Sequence, residues 1–560
     1  MDNYKIADSF SLLAKLMDIH GENGFKAKSY ASTAFAIENL TVQLSELPPE
    51  KIPSLKGIGA SSAQKISEIL ATGELKILED LIKKTAPGVL EMLNIKGIGP
   101  KKIHTIWKEM EIETVGELLY ACKENRLKLY KGFGEKTQQN VIDTIEFYFK
   151  NKGSHLYAQV ALIEPHVTSF LEKIFPNKKV MVTGNYKRQV EIIDELEFVL
   201  DAGEKEIENA MTNVDGFALK EKLADSYNYS TSVGVNVKLY WNSNNDLTTR
   251  LIETSSSPEF YKELQAVLSS TTIKSDSEEA YFEAAGINFI PACLREDAAI
   301  ISQAKAGRLP ELIRHSDIRG IIHSHSNWSD GSNTIEQMAE AAIARGLEYL
   351  VVSDHSKSAF YAQGLNEERI REQHRYIDEL NEKLHPFKIF KSIESDILND
   401  GSLDYSNEVL ATFDLVIASV HSNLKMTEEK AMMRLMKAIE NPYTTILGHM
   451  TGRLLLSRPG YPVDHTKIID ACAANNVVIE LNAHPSRLDI DWRHIRYALE
   501  KKVLISIDPD AHHVDGLDDN SYGVLVAQKA MVTKEQNLSS FGLKEFEEYV
   551  VRVKKLKVNV

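Results

Sequence analysis

At 560 residues the chain is too long for one hydrophobic core, and with 43% hydrophobic and 26% charged residues it reads as a globular protein of about three to five domains. Its 80 acidic against 65 basic side chains give a net charge of −15, which speaks against a uniformly nucleic-acid-coating protein. No apolar run approaches the roughly 20 residues that span a bilayer, "MDNYKIADSF" lacks the pattern of a signal peptide, and Cys122, Cys293 and Cys472 are too scattered for a disulfide framework or a thiolate zinc site. A cytoplasmic protein without a membrane partner is expected. The charge is uneven: residues 1–150 hold about 20 basic and about 20 acidic side chains, so local DNA binding remains open there. Twelve of the 17 histidines lie after residue 320, which points to metal chemistry near the carboxyl end.

In chain order, the first elements are three segments of one design: "PSLKGIGASSAQKISEIL", "LNIKGIGPKKIHTIWKEM" and "LYKGFGEKTQQNVIDTI". Each has an apolar lead-in, a Gly-hydrophobic-Gly turn and an amphipathic helix. Glycine permits positive φ and lets main-chain N–H groups approach an anion; the following helix turns its positive end to the same point. The segments resemble helix-hairpin-helix motifs, which implies that Gly57, Gly59, Gly97, Gly99, Gly132 and Gly134 bind DNA phosphates without reading sequence. The expected domains are residues 1–90, with the first hairpin, and 91–150, a fingers-like domain.

After a linker near "KNKGSHLYAQ" comes "VMVTGNYKRQVEIIDELEFVLD", a basic turn followed by a strand on which Glu195 and Glu197 leave one face. "VGVNVKLYW" is a second alternating strand, and "ETSSSPEF" a serine-rich turn. This stretch resembles the palm of family-X DNA polymerases, where a Gly-Ser turn and three aspartates hold two Mg²⁺ ions. The resemblance places Gly184 on the family glycine, Asn185 on the serine, Glu195 and Glu197 on two aspartates and Asn236 on the third. Glutamate displaces its carboxylate by about a bond length, and about 1 Å can cost around 100-fold; asparagine brings no charge and accepts no proton. A degenerate polymerase site is therefore expected, with Mg or Mn and a dNTP bound only if polymerase activity is retained. The palm is expected over 151–245 and a thumb over 246–315. In the same family Lys65, after the first hairpin, occupies the place of a lysine that forms a Schiff base with an abasic sugar, a possible lyase role.

From residue 320 onward short apolar strands alternate with helical stretches: "GIIHSH", "LEYLVVSDH", "FKIFKSIESD", "FDLVIASVH", "TTILGH", "VVIELNAH" and "VLISIDPDAH". The alternation predicts a parallel barrel of seven βα units with its chemistry at the carboxyl ends of the strands. His323 and His325, two apart on one strand, are expected to face one side; "NWSDG" brings in Asp330, and His355, Glu394, His421, His449, Asp510 and His512 end later strands. Nine nitrogen and oxygen donors exceed what one ion needs. Two or three divalent metals are expected, and the mixed set suits Mn, Zn or Fe.

"HSHSNWSDG", "SDHS", "SIESDIL", "SVHS", "GHMTGRLL" and "DPDAH" resemble, in order, the motifs of the PHP (polymerase and histidinol phosphatase) domain, expected over 320–560. The resemblance makes the nine residues metal ligands and implies that His323, His325, Asp330, Glu394 and Asp510 serve phosphoester hydrolysis. Arg453, Arg487 and the lysines of "SNLKMTEEK" are candidates for holding substrate phosphate. The fold expected is thus multidomain α+β and α/β: helix-hairpin-helix domains, a polymerase-like palm and thumb, and a distorted (βα)7 PHP barrel. That order is the layout of bacterial family-X DNA polymerases. It implies a DNA-repair metallonuclease, a 3′-to-5′ exonuclease or abasic-site endonuclease, acting on gapped, nicked or 3′-recessed duplex. The alternatives are a gap-filling polymerase with unusual ligands, a histidinol-phosphate-type phosphatase, and a non-catalytic DNA-end-binding protein.

Overall fold

The computed structural model describes residues 2–123, 127–151, 153–242, 246–268, 273–456 and 459–558, in two compact units, Met1–Lys152 and Gly153–Val560. The first is helical. Helix α1 (Asn3–His20) starts where the Asp2 carboxylate accepts from Lys5 N–H at 2.8 Å, and it ends at Gly21 with φ 69°. Ile6, Phe10, Leu13 and Met17, spaced three and four apart, bury one stripe of α1 against α2 (Gly24–Glu38). Three glycine turns lead into α3 (Ala60–Thr72), α4 (Pro100–His104) and α5 (Glu135–Asn151).

In the second unit a long helix, α6 (Tyr157–Ile174), lays Val160, Val167 and Leu171 on a five-stranded sheet. Its strands are β1 (Val180–Thr183), β2 (Glu195–Leu200), β3 (Phe217–Lys222), β4 (Ser226–Thr231) and β5 (Asn236–Trp241), in the order β1-β2-β5-β4-β3. Only β2 and β5 run parallel, and their register sets Glu195 opposite Asn236 and Glu197 opposite Lys238. A separate apolar cluster, from Ile252 to Ala304, follows.

The remainder is the seven-stranded parallel barrel that the sequence pattern predicts. Strands β6 (Gly320–Ser324), β7 (Tyr349–Val352), β8 (Lys388–Asp396), β9 (Leu415–Ser419), β10 (Ile446–Leu447), β11 (Val478–Asn482) and β12 (Ile505–Asp508) pair in sequence order. A parallel bridge from Ser324 to Ala511 brings the first strand to the last. Helices cover the sheet, so the strands read as apolar runs rather than alternating ones. Three helices matter below: α7 (Trp492–Glu500), α8 (Asn520–Lys529) and α9 (Leu543–Val558), whose Phe546 stacks on Tyr349.

Candidate metal centre and DNA-binding hairpins

The carboxyl ends of the barrel strands bring all nine predicted donors together, though not by the regular alternation expected of His323 and His325. Between Ile321 and Ser324 the β6–β7 ladder shifts register, and His323 sits in the left-handed region at φ 63°. A bulge re-aims a side chain in this way. His325 lies past the strand end, its N–H donating to Ala511 O at 2.8 Å, and the two imidazole centroids stand 5.3 Å apart.

Glu394 is the hub. Its Oε1 lies 2.9 Å from His449 Nε2, 3.1 Å from His421 Nε2 and 3.3 Å from His323 Nε2. Its Oε2 lies 2.9 Å from His355 Nδ1 and 3.6 Å from His325 Nε2. Asp510 Oδ1 is 3.1 Å from His325 Nε2 and 3.4 Å from His323 Nε2; Asp330 reaches His355 and His512, each at 3.5 Å. Three overlapping groups are each compact enough for one ion: His325, Asp330, His355 and His512; His323, His325 and Asp510; and His355, Glu394 and His421. His323 Nε2 and His325 Nδ1 are buried without a hydrogen-bond partner, as expected of atoms that ligate. The donor set fits divalent cations.

Burial works against charge on His323, yet Asp510, Glu480 and Glu394 outweigh it and hold its pKa well above the ordinary value. His325 is pushed down to about 3 by burial and by neighbouring His512 and His355. Against the cost of burial, Glu394 and Asp396 raise His421 to about 9. The carboxylate of Glu394 resists the upward push of its own burial and stays well below its usual range because His421, His323 and His355 surround it. A cation bound here would compete with protons for the same nitrogens.

Several supporting residues escaped the sequence reading. Fully buried Glu480 bonds His323 Nδ1 and the main-chain N–H of His449, and Asp396 bonds His421 Nδ1. Asp354 accepts from Ser326 N–H at 2.8 Å, Ser326 Oγ at 2.7 Å and Ser329 Oγ at 2.5 Å, which pins the turn that delivers Asp330. Period two along "VVIELNAH" was the available signal: Glu480, Asn482 and His484 share one side of β11 and its extension. Asn482 Nδ2 donates to Asp510 Oδ2 at 3.1 Å, and His484 Nδ1 accepts from Ser486 N–H at 3.2 Å.

The two candidate phosphate arginines part company. Arg487 Nε stands 3.8 Å from Asp510 Oδ2, beside the cluster. Arg453 is corrected to a structural residue: its guanidinium donates to Arg487 O (2.9 Å), Leu488 O and Asp491 (2.7 Å), which leaves no free fork for phosphate.

In the five-stranded sheet, Glu195 accepts from Asn228 Nδ2 at 2.8 Å and Lys238 Nζ at 3.2 Å. Glu197 is buried, accepts from Tyr240 Oη at 2.7 Å and from Asn185 N–H at 3.2 Å, and is raised in pKa chiefly by that burial. A Cβ on Gly184 would stand 1.8 Å from Glu197 Oε1, so only glycine admits this glutamate. The basic turn is equally committed: Lys187 pairs with Glu278 at 2.5 Å and Arg188 with Glu296 at 3.1 Å. Asn236 begins β5 directly opposite Glu195.

In the helical unit Gly57, Gly97 and Gly132 have φ of 86°, 90° and 91°. Gly59, Gly99 and Gly134 carry the carbonyls that open α3, α4 and α5. A Cβ at Gly59, Gly97, Gly99, Gly132 or Gly134 would meet nothing within 4 Å, so these turns present open backbone; Gly57 instead packs on Ala36. Lys65 Nζ lies 3.3 Å from Ser61 Oγ and above the Tyr30 ring.

Three segments of the chain match known families. Residues 1–75 match the helix-hairpin-helix domain, 89–146 the SAM-like helix-hairpin-helix tandem, and 322–484 the PHP domain. The DNA polymerase/3'-5' exonuclease PolX of Bacillus subtilis (strain 168) is 30% identical over 96% of this chain and 98% of its own. A probable phosphatase of Acetivibrio thermocellus is 28% identical over 41% of this chain and 95% of its own. The probable phosphatase TTE1963 of Caldanaerobacter subterraneus subsp. tengcongensis is 28% identical over 29% of this chain and 60% of its own. Among the described residues no helix is long and apolar enough to cross a membrane.

Proposed function

The chain belongs to the bacterial family-X DNA polymerases that carry a carboxyl-terminal PHP domain, and we propose that its working centre is the PHP barrel, a metal-dependent 3′-to-5′ exonuclease that trims gapped, nicked or 3′-recessed DNA. The observation that carries this reading is the contrast between its two acidic centres. In the barrel, nine histidines and carboxylates converge in groups compact enough for an ion; in the palm, the two acidic side chains face Lys238, Asn228 and Tyr240 in place of such a cluster.

His323, His325, Asp330, His355, Glu394, His421, His449, Asp510 and His512 would hold two or three ions of Mn, Zn or Fe. When bound, such ions activate water near neutral pH and offset charge developing on phosphate oxygens. The chain's own contribution is orientation and exclusion of water. Glu480 and Asp396 fix the tautomers of His323 and His421 by bonding Nδ1 and turning Nε2 toward the centre. Arg487 holds a phosphate of the DNA strand beside the metal cluster, and the hairpin glycines grip the duplex backbone. Residues 151–245 and 246–315 take the places of palm and thumb, with polymerase activity weak or lost. Incubation with labelled single-nucleotide-gapped DNA and Mn²⁺ should shorten the primer strand, and a His323→Ala/His325→Ala variant should not. Hydrolysis of small phosphomonoesters with no DNA shortened would defeat the repair assignment.

A second reading keeps nucleotidyl transfer, favoured by the full-length similarity to a protein named a polymerase. Primer extension with dNTPs that disappears on replacing Glu195 and Glu197 would establish it.

A further inference from the structure

The segment that follows β11, "HPSRLDIDWR", leaves the metal centre and reaches the polymerase-like half. Leu488 is held in the left-handed region at φ 46°, a conformation that costs a leucine about 1–2 kcal/mol and persists only where its surroundings impose it. The restraints are visible. Arg453 bonds the carbonyls of Arg487 and Leu488, and Thr451 bonds the Asp489 carboxylate through N–H (3.0 Å) and Oγ1 (2.8 Å). On the far side, Pro485 and Leu488 line a small crevice with Tyr157, Gln189 and Glu191 of the palm side. Buried Glu191 accepts from Arg493 at 3.2 Å, and the Glu191 carbonyl accepts from Tyr157 N–H at 3.0 Å, so the contact is anchored in the palm's own backbone.

On the metal side the same segment presents Arg487, 3.8 Å from Asp510. It also presents His484, whose Nδ1 is engaged by Ser486 N–H; the ring's proton therefore sits on Nε2, which has no partner among the described residues. Two donors beside the metal centre are thus carried on a strained loop that leans on the palm.

We propose that residues 484–493 form the loop that grips the DNA end, with Arg487 and His484 as its phosphate-binding donors, and that Glu191 of the palm is a positioning residue that seats it. This rests on the nuclease reading of the barrel and deepens it. The altered palm takes part by making a phosphoesterase centre selective for a polynucleotide terminus over a small phosphomonoester. A small ester needs only the ions and their ligands, whereas a DNA end must also be held beyond its scissile phosphate.

The test uses the full chain loaded with Mn²⁺, comparing wild type with Glu191→Ala, Glu191→Gln and Leu488→Gly. Glu191→Ala should raise KM for a 3′-recessed duplex about tenfold, the order of one charge-assisted hydrogen bond, with kcat, retained Mn²⁺ and p-nitrophenyl phosphate hydrolysis unchanged. Glu191→Gln, which still accepts from Arg493, should recover most of the loss. Leu488→Gly, which removes both the strain and the packing, should loosen the loop and raise KM similarly. Amide hydrogen exchange over 484–491 should quicken in Glu191→Ala and Leu488→Gly. Unaltered exchange, or faster exchange with unaltered KM for DNA, overturns the proposal. A wild type that leaves DNA intact sinks the nuclease reading instead, and the proposal with it.

Discussion

Replacement of Glu480 by Gln is the sharpest probe of the barrel centre, because Glu480 is fully buried and meets three donors. His323 Nδ1, His449 N–H and, at 3.3 Å, Asn482 Nδ2 all point at its two oxygens. Glutamine offers one oxygen and one NH₂ group, so at least one donor is left facing a donor. The lost negative charge also makes His323 a poorer ligand. Supporting partners of this kind are worth about 10–100-fold in metal affinity, or about 1.4–2.8 kcal/mol. Chelator-competition calorimetry on metal-free protein should show the tightest Mn²⁺ event weakened by that factor. Elemental analysis at matched free metal should find less than the wild-type content. Glu480→Asp, with charge kept and reach shortened, should fall between. A folded Glu480→Gln protein with wild-type affinity and stoichiometry would refute the assignment of His323 as a ligand oriented by Glu480.

Metal binding should release protons at pH 8: His421, held near 9 against burial by Glu394 and Asp396, must give up its proton to ligate. Binding enthalpy should therefore depend on the buffer's ionisation enthalpy, and affinity should fall as pH falls; buffer-independent enthalpy contradicts this. Restoring aspartate at Glu195, Glu197 and Asn236 together should not produce primer extension, because Lys187 and Arg188 stay paired with Glu278 and Glu296; extension by that triple variant would show the pairs are no obstacle. Gly97→Ala should weaken duplex binding in fluorescence anisotropy by several-fold, through the cost of φ 90° of about 1–2 kcal/mol and not through a clash, since nothing lies within 4 Å. Lys529→Met should lower stability in urea by about 2 kcal/mol, as its buried ammonium bonds Arg188 O at 2.7 Å and Glu296 at 3.0 Å; an unchanged midpoint would make that joint dispensable.

The barrel was legible in the sequence because each strand is an apolar run that ends in a donor, and run length and order survive folding unchanged. The nine donors gather for the same reason: the carboxyl ends of a parallel barrel share one face. Glu480 was not legible as a partner of His323, since the two lie 157 residues apart and only the barrel's closure joins them. The bulge at His323 was hidden too; alternation within one strand carries no record of a register shift set by its neighbour. Arg453 misled because an arginine near a metal motif looks the same whether its fork faces solvent or a carbonyl-rich loop. The commitments of Lys187 and Arg188 lie 91 and 108 residues away, beyond any local pattern.

Those distant commitments bear on how the five-stranded sheet holds its two glutamates. Neighbouring buried carboxylates repel one another, and each buried, unpaired charge is costly. Here Lys238 stands on the neighbouring strand opposite Glu197 and pairs with Glu195, while Tyr240, two residues on, bonds Glu197. Glutamate's extra methylene, a handicap for holding a metal where aspartate would, is what carries Glu197 beneath Gly184 to meet Asn185 N–H. The turn so fixed continues to Arg188, whose carbonyl receives Lys529 from the barrel's helix α8, and to Glu191, which receives Arg493 from α7. Arg188 and Glu191 thus link this turn to two helices of the barrel, and a substitution that broke either contact would loosen that support.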